Sequence, residues 1–395
     1  MPSVFLSFRN ERQRVEAVKR HLAPLDCRSG MCALFAAAGE NPGPAGSLAL
    51  RVTVKGRAKS PASCDDRGRG RVPRHEPLWR QASRSLLEDA RVRNVPFDQP
   101  GAWYRGNIHS HSTNSDGLLS PADVVQAYRE RDYDFISITD HFLGRYGFPI
   151  TDTASYRTST FTTLPGAEMH VKGLQNGIVW DLLAIGLPAD FAPQDPEEPD
   201  VALAARASAT GAFVAIAHPA WNGVVHSDGL RLIDSVDAIE IHNEGHTLDS
   251  ERGSGWFLAD SLATAGHRFS TFAADDAHFK TDRFDRFGGW INVRAESLDP
   301  ESLLIALKAG HYYASTGATI HNVEITETEI IVEANPAIGI MLGGAGTIRQ
   351  YVRGDGLTRA AFSRGLFQSA FFRVIVVQAN GKKAWSSPIW LEEVS

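Results

Sequence analysis

The chain has 395 residues and a mass of 43.0 kDa, with 43% apolar residues and a formal net charge of −6. It is too long for one small domain and apolar enough for a sizeable core, and no run approaches the roughly 18 uncharged apolar residues of a membrane span, which excludes a transmembrane protein. Residues 1–100 hold 18 Lys and Arg against 10 Asp and Glu, net +8, leaving 22 against 36, net −14, for the rest.

The first residues, MPSVFLSFRNERQRVEAVKR, put Arg and Glu where a secretion signal needs an unbroken apolar segment, so a cytoplasmic protein is expected. Cys27, Cys32 and Cys64 all fall early, so no disulfide framework is expected to hold the main body together. Residues 1–99 show little periodicity and a middle rich in Arg, Gly, Pro and Ser, which predicts a basic, loosely ordered extension. From Trp103 the texture changes to short β-branched runs alternating with helical patterns. Seven strands are predicted, over 105–112, 133–141, 161–169, 212–221, 236–243, 269–278 and 288–295. Ser120 and Pro121 supply an N-cap and a first-turn proline, after which Val124, Val125 and Tyr128 share a face. Further helices are predicted over 200–209, 254–265 and 300–309, the last two stopped by Gly266 and Gly310. Beyond Thr316 the pattern is β-rich, with Asn380-Gly381 marking a hairpin turn. The expected organisation is therefore an extension (1–99), a β/α domain (100–316) and a small β-rich domain (317–395).

The chemistry lies at the ends of the predicted strands. His109 and His111 are two apart on a strand, so their side chains share a face and can hold one cation. Asp116 follows in HSHSTNSDG, His141 ends the second strand in ITDH, and Glu168 ends the third in PGAE. His218 ends the fourth in IAHP, and Asp276 and His278 end the sixth in DDAH. Taken singly, His109 and His218 read as satisfied core histidines, Asp116 as a turn residue, and Asp140 and Asp276 as caps. Burial alone does not explain why each stands at a strand's carboxyl end, where the strands of a β/α barrel bring distant residues together.

HSHSTNSDG, ITDH, PGAE, AHP and DDAH, in this order and at these spacings, resemble the PHP (polymerase and histidinol phosphatase) superfamily over about residues 103–316. The resemblance implies an α/β fold, a distorted (β/α)7 barrel, here followed by a β-sandwich-like C-terminal domain. It also implies two or three divalent metals, zinc, manganese or iron. By analogy His109, His111, Glu168 and Asp276 would bind one ion. Glu168 would share a second with His218, and Asp116, His141 and His278 would take a third. Related sequences often carry a histidine where WDLLAIG has Asp181; a carboxylate there can still ligate and favours harder ions such as manganese. His170 in EMH is a competing ligand.

Clustered divalent ions lower the pKa of bound water and neutralise phosphate oxygens, so phosphoester hydrolysis is the expected reaction. Asp140 and Arg145 are the candidate catalytic side chains, Asp140 orienting a ligand histidine or capping its loop, Arg145 clamping a phosphate with Lys280 and Arg283. Trp221 and Tyr146 either stack on a substrate ring or pack the rim. The expected partner is a small phosphorylated compound or nucleotide; the net −14 disfavours long nucleic acids. Two alternatives use the same barrel: hydrolysis of a carboxylic ester or carbamate, and a non-catalytic scaffold with a degenerate site.

Overall fold

A computed structural model describes residues 95–394. The loosely ordered extension expected over residues 1–99 falls, up to residue 94, outside the described residues. Within its last five residues Val95 and Pro96 are buried, and the Phe97 ring lies 5.5 Å from Trp103 and 6.0 Å from Tyr313.

The described chain is mixed α/β, built around one large sheet. Its strands are β1 (Ala102–Asn107), β2 (Phe135–Ile138), β3 (His141–Phe142), β4 (Thr162–Lys172), β5 (Val179–Ile185), β6 (Phe213–Ile216), β7 (Ala238–Asn243), β8 (Ser270–Ala274) and β9 (Trp290–Ala295). They continue with β10 (Tyr312–Ser315), β11 (Ile320–Ile325), β12 (Glu329–Gly343), β13 (Arg349–Ser363), β14 (Phe371–Val377), β15 (Lys383–Ser386) and β16 (Ile389–Trp390). The order β1-β2-β4-β5-β6-β7-β8 returns on itself through a parallel bridge between Ser110 and Ala277, with the His111 N–H donating to the Ala277 carbonyl at 2.8 Å. Seven strands thus close a ring. Neighbours pair in parallel except around β5, which is antiparallel to both β4 and β6.

This ring differs from the expected set of strands at two places. The predicted strand at 288–295 forms as β9 but pairs antiparallel to β1 and carries the sheet away toward β10. Its place is taken by β5, absent from the seven predicted. Burial separates the two kinds of strand: β2, β6 and β8 are buried at every residue, as strands covered on both faces must be, whereas β9 alternates.

Alternate residues face opposite sides of the ring. Leu183, Ile185, Phe213 and Ala215 point inward to a core shared with Ile108, Phe135, Leu164 and Phe272. Leu182, Ala184, Val214 and Ile216 point outward to a core completed by the helices. Those helices are α1 (Pro121–Arg129), α2 (Asp200–Ala209), α3 (Pro219–Asn222), α4 (His226–Leu232), α5 (Glu244–Ser250), α6 (Trp256–Thr264) and α7 (Pro300–Lys308). The Ser120 hydroxyl accepts from the Asp123 N–H, and α1 buries Val124, Val125 and Tyr128 as its spacing predicts. Gly266 and Gly310 follow α6 and α7 with φ of +94° and +73°, a region costly for other residues. Asp299 caps α7, accepting from the N–H groups of Glu301 and Ser302.

α7 closes one end of the ring. Leu303, Ala306 and Leu307 join the inner core, and Lys308 Nζ reaches the Ala212 carbonyl (2.7 Å) and Asp237 (3.1 Å), just ahead of β6 and β7. The opposite end, where the parallel strands finish, stays open.

Past β10 the sheet continues through β15, β14 and β12, with β11 and β13 flanking β12. This part has its own core around Ile330, Val332, Ile340, Leu342, Phe372 and Val374. The Asn380-Gly381 turn forms between β14 and β15, the Gln378 N–H donating to the Lys382 carbonyl at 2.9 Å.

Candidate metal centre

The open end of the ring gathers all nine predicted metal-binding residues. His109 and His111 follow the end of β1, His141 begins β3 beyond β2, and Glu168 lies in β4. His218 follows β6, and Asp276 and His278 follow β8. Asp181 belongs to the same end for a topological reason: β5 runs antiparallel, so its beginning, not its end, lies at the mouth. Cross-strand pairing then sets Asp181 opposite His170 and His141 beside Glu168.

Glu168 is the centre of the group. Its Oε1 lies 3.0 Å from His218 Nε2 and 3.6 Å from His109 Nε2, and its Oε2 lies 2.7 Å from His141 Nδ1 and 3.6 Å from His111 Nε2. Asp276 Oδ1 is 3.0 Å from His111 Nε2 and 3.3 Å from His109 Nε2. Asp116 Oδ1 is 3.2 Å from His141 Nε2 and 3.3 Å from His278 Nε2. His170 Nδ1 meets Asp181 Oδ1 at 2.5 Å, its Nε2 lies 2.9 Å from His141 Nδ1, and Asp181 Oδ2 is 3.9 Å from His218 Nε2.

Five sets of three or four of these donors have all their ligating atoms within 4.8 Å of one another: His111, Asp116, His141 and His278; His109, His111 and Glu168; His109, His218 and Asp276; His141, Glu168 and His170; Glu168, Asp181 and His218. Imidazole nitrogens and carboxylate oxygens are the donor types that divalent transition metals take. His109 Nε2, His111 Nδ1, Asp116 Oδ1 and Glu168 Oε2 are buried without a well-formed hydrogen bond. Buried polar atoms rarely go unpaired, so these residues fit a bound cation.

Electrostatics give the same picture. Burial by itself disfavours every charged form here. For Asp116, Glu168 and Asp276 the facing histidines overrule burial and hold the carboxyls well below the usual range. Burial would lower His141 and His218, but the facing carboxylates raise them to about 11 and about 10. His111 goes the other way: burial, then the nearby His278 and His141, push it down to about 4.

The backbone is strained at two of these positions: His218 has φ of +21° and Asp276 +58°. Non-glycine residues hold such angles only where their surroundings fix them, and they concentrate at working sites.

The residues predicted to assist are placed more variously. Asp140 is buried, and its carboxylate accepts from the Ser112 N–H and hydroxyl (2.7 Å each), the Ser115 hydroxyl (2.7 Å) and the Thr151 hydroxyl (2.6 Å). These bonds tie Ser112 and Ser115, in the loop that carries His111 and Asp116, to Thr151. Arg145 is exposed on a turn and lies over the Tyr146 ring at 4.7 Å. Lys280 pairs with Asp116 (3.4 Å) and Arg283 with Asp249 (3.3 Å). His242 turns aside to Glu244 at 2.8 Å.

From the sequence, His242 and His246 in EIHNEGH follow the fifth predicted strand and can lean toward the mouth without being ligands, whereas Asn222 and Glu240 were missed by sequence reasoning. His246 packs flat on Trp221, ring centroids 4.2 Å apart, with Nε2 3.3 Å from Asp276. Asn222 Oδ1 lies 2.6 Å from His218 Nδ1 while its amide donates to Asp181 at 2.8 Å. Glu240, fully buried, lies 3.2 Å from His109 Nδ1. A cavity of about 490 Å³ opens over the group, walled by Glu168, His218, Asp276, Trp221, His246 and Arg283 among others.

No family model matches the chain, and no curated protein matches it. Among solved structures it is similar to a two-domain protein from Bacteroides vulgatus containing a predicted PHP-like metal-dependent phosphoesterase, at 15% identity over 74% of this chain and 97% of that one, TM-score 0.44. It is also similar to a protein from Bifidobacterium adolescentis described as a candidate metal-dependent phosphoesterase (16% identity, 53% and 98% covered, TM-score 0.34). A third is an amidohydrolase from Chromobacterium violaceum, solved with sulfate and no metal (14%, 44% and 87%, TM-score 0.32).

Proposed function

We propose that the chain is a metal-dependent hydrolase of the PHP type whose reaction is cleavage of a phosphate ester, and that its ring of strands is a distorted seven-stranded β/α barrel followed by a small β-rich domain over 317–395. The observation that carries this reading is the convergence of His109, His111, Asp116, His141, Glu168, Asp181, His218, Asp276 and His278, far apart in sequence, on one open end of the ring. His109, His111, Glu168 and Asp276 would hold one divalent ion. Glu168, His218 and Asp181 would hold a second, with His170 steering Asp181, and Asp116, His141 and His278 a third. Bound ions of this kind supply hydroxide at neutral pH and neutralise phosphate oxygens.

The chain's own residues do the rest. Glu168, with Oε1 3.0 Å from His218 and Oε2 3.6 Å from His111, would be shared between the second ion and the first. Trp221 and His246 form a flat wall to the cavity, and Arg283, held by Asp249 at 3.3 Å, stands at its rim. The cavity's size suits a small molecule rather than a duplex.

One observation favours the second reading, hydrolysis of a carboxylic ester or carbamate: Lys280 and Arg283 are already paired with Asp116 and Asp249, which leaves fewer cations for a phosphate. A screen of phosphomonoesters, phosphodiesters and carboxylic esters with the metal-loaded protein separates the two, with His109→Ala as control. Phosphate release lost in His109→Ala is expected. Turnover confined to carboxylic esters would replace the first reading with the second, and no turnover would leave a scaffold.

A further inference from the structure

Glu240 stands in the middle of β7 between two buried isoleucines, Ile239 and Ile241, and is itself fully buried. Carboxylates are seldom buried so completely unless they are paired or bonded. Its Oε1 lies 3.2 Å from His109 Nδ1. Its Oε2 accepts from the His218 backbone N–H at 2.7 Å and from the Asn243 amide at 3.2 Å. The same Asn243 amide lies 3.2 Å from Asp276 Oδ2. One side chain on β7 thus touches the residues that follow β1 and β6 and, through Asn243, the one that follows β8.

Resting on the metal-binding reading above, we propose that Glu240 is the positioning residue of this centre. It holds the proton of His109 on Nδ1, leaving Nε2 free to face Glu168 and Asp276, and it pins the strained backbone at His218. A ligating histidine needs its other ring nitrogen hydrogen-bonded, which fixes both tautomer and ring orientation. Glu240 is placed to do this for His109, and its second oxygen ties His218 into the same unit. A capping role alone would need only the His218 and Asn243 contacts and would be indifferent to the His109 proton.

Glu240→Gln separates the two roles. Two donors, the His218 N–H and the Asn243 amide, fix where the new amide oxygen goes, so its NH₂ turns toward His109 Nδ1. Donor then faces donor, and His109 is driven to carry its proton on Nε2, the nitrogen needed for the metal. In histidine-labelled protein, NMR should show a slowly exchanging Nδ1 proton on His109, with and without zinc, that is lost in Glu240→Gln. Zinc affinity of the folded variant should fall by about 10- to 100-fold. A folded Glu240→Gln protein with unchanged zinc affinity, or with the His109 Nδ1 proton still protected, would overturn the proposal. So would a wild-type protein lacking that protected proton, a result that stands even where the variant does not fold. Failure of the wild type to take up zinc would instead sink the metal-binding reading, while the ring proton of the metal-free protein still decides the role of Glu240.

Discussion

Loading the centre should expel protons, and the number follows from the charges that surround each ligand. In the metal-free protein His141 and His218 are raised to about 11 and about 10 by the carboxylates facing them, so both carry a proton at neutral pH. His111, held at about 4, is already neutral, and Asp116, Glu168 and Asp276 are already ionised. The ion beside Asp181 would therefore displace the proton of His218 and the ion beside Asp116 that of His141, while His109, which Asp276 and Glu240 raise well above its usual value against burial, adds another at the first ion; affinity rises with pH because the competing proton becomes scarcer. One proton displaced per ion corresponds to a rise in that ion's apparent affinity of about 10-fold per pH unit until the pH approaches these raised values. Calorimetric zinc titrations at pH 6.5 and 7.5, each in two buffers of different ionisation enthalpy, count the released protons directly. Release of two or more is expected. A proton count near zero, with affinity flat across this range, would refute the electrostatic description of the site.

The same shifts predict how the metal-free protein responds to pH. A histidine whose folded pKa is raised stabilises the fold fully below its unfolded value of about 6.5 and loses that contribution as pH climbs through the folded value. The thermal midpoint of metal-free protein should therefore fall steadily from pH 7 to pH 10, and one that rose over that window would contradict the assignment. Asp181→His should shift preference from manganese toward zinc, read from competition between the two ions, because it replaces an oxygen donor with a nitrogen. Phe213→Ala, which removes a fully buried ring from the inner core, should cost about 3–5 kcal/mol in denaturant unfolding. Ser120→Ala should cost about 1 kcal/mol by leaving the Asp123 N–H without its cap.

Much of the site could be read in the sequence because His141, His218 and Asp276 sit just past the end of a buried apolar run, a boundary that composition marks sharply. ISITDH and AIAHP show it: four buried residues of β2 and β6 give way within three residues to His141 and His218. Strand direction was not legible. WINVRA reads as the seventh strand of the same pattern, yet its alternation marks a strand with one open face, and it pairs antiparallel outside the ring. WDLLAIG was noticed for Asp181 but not counted as a strand, since periodicity does not show that a hairpin has replaced a helical crossover. Glu240 left a signal that went unused, an acid between two buried isoleucines, Ile239 and Ile241. The role of Asp140 was undecidable from ITDH, because its partners Ser112, Ser115 and Thr151 lie 11 to 28 positions away and only folding brings them to it.

The most direct test is to crystallise the protein loaded with zinc or manganese and locate the ions by anomalous scattering. Density is expected among His109, His111, Glu168 and Asp276, with further ions beside His218 and Asp181 and beside Asp116, His141 and His278. Loaded crystals with no anomalous peak within bonding distance of Glu168 would contradict the account at its centre.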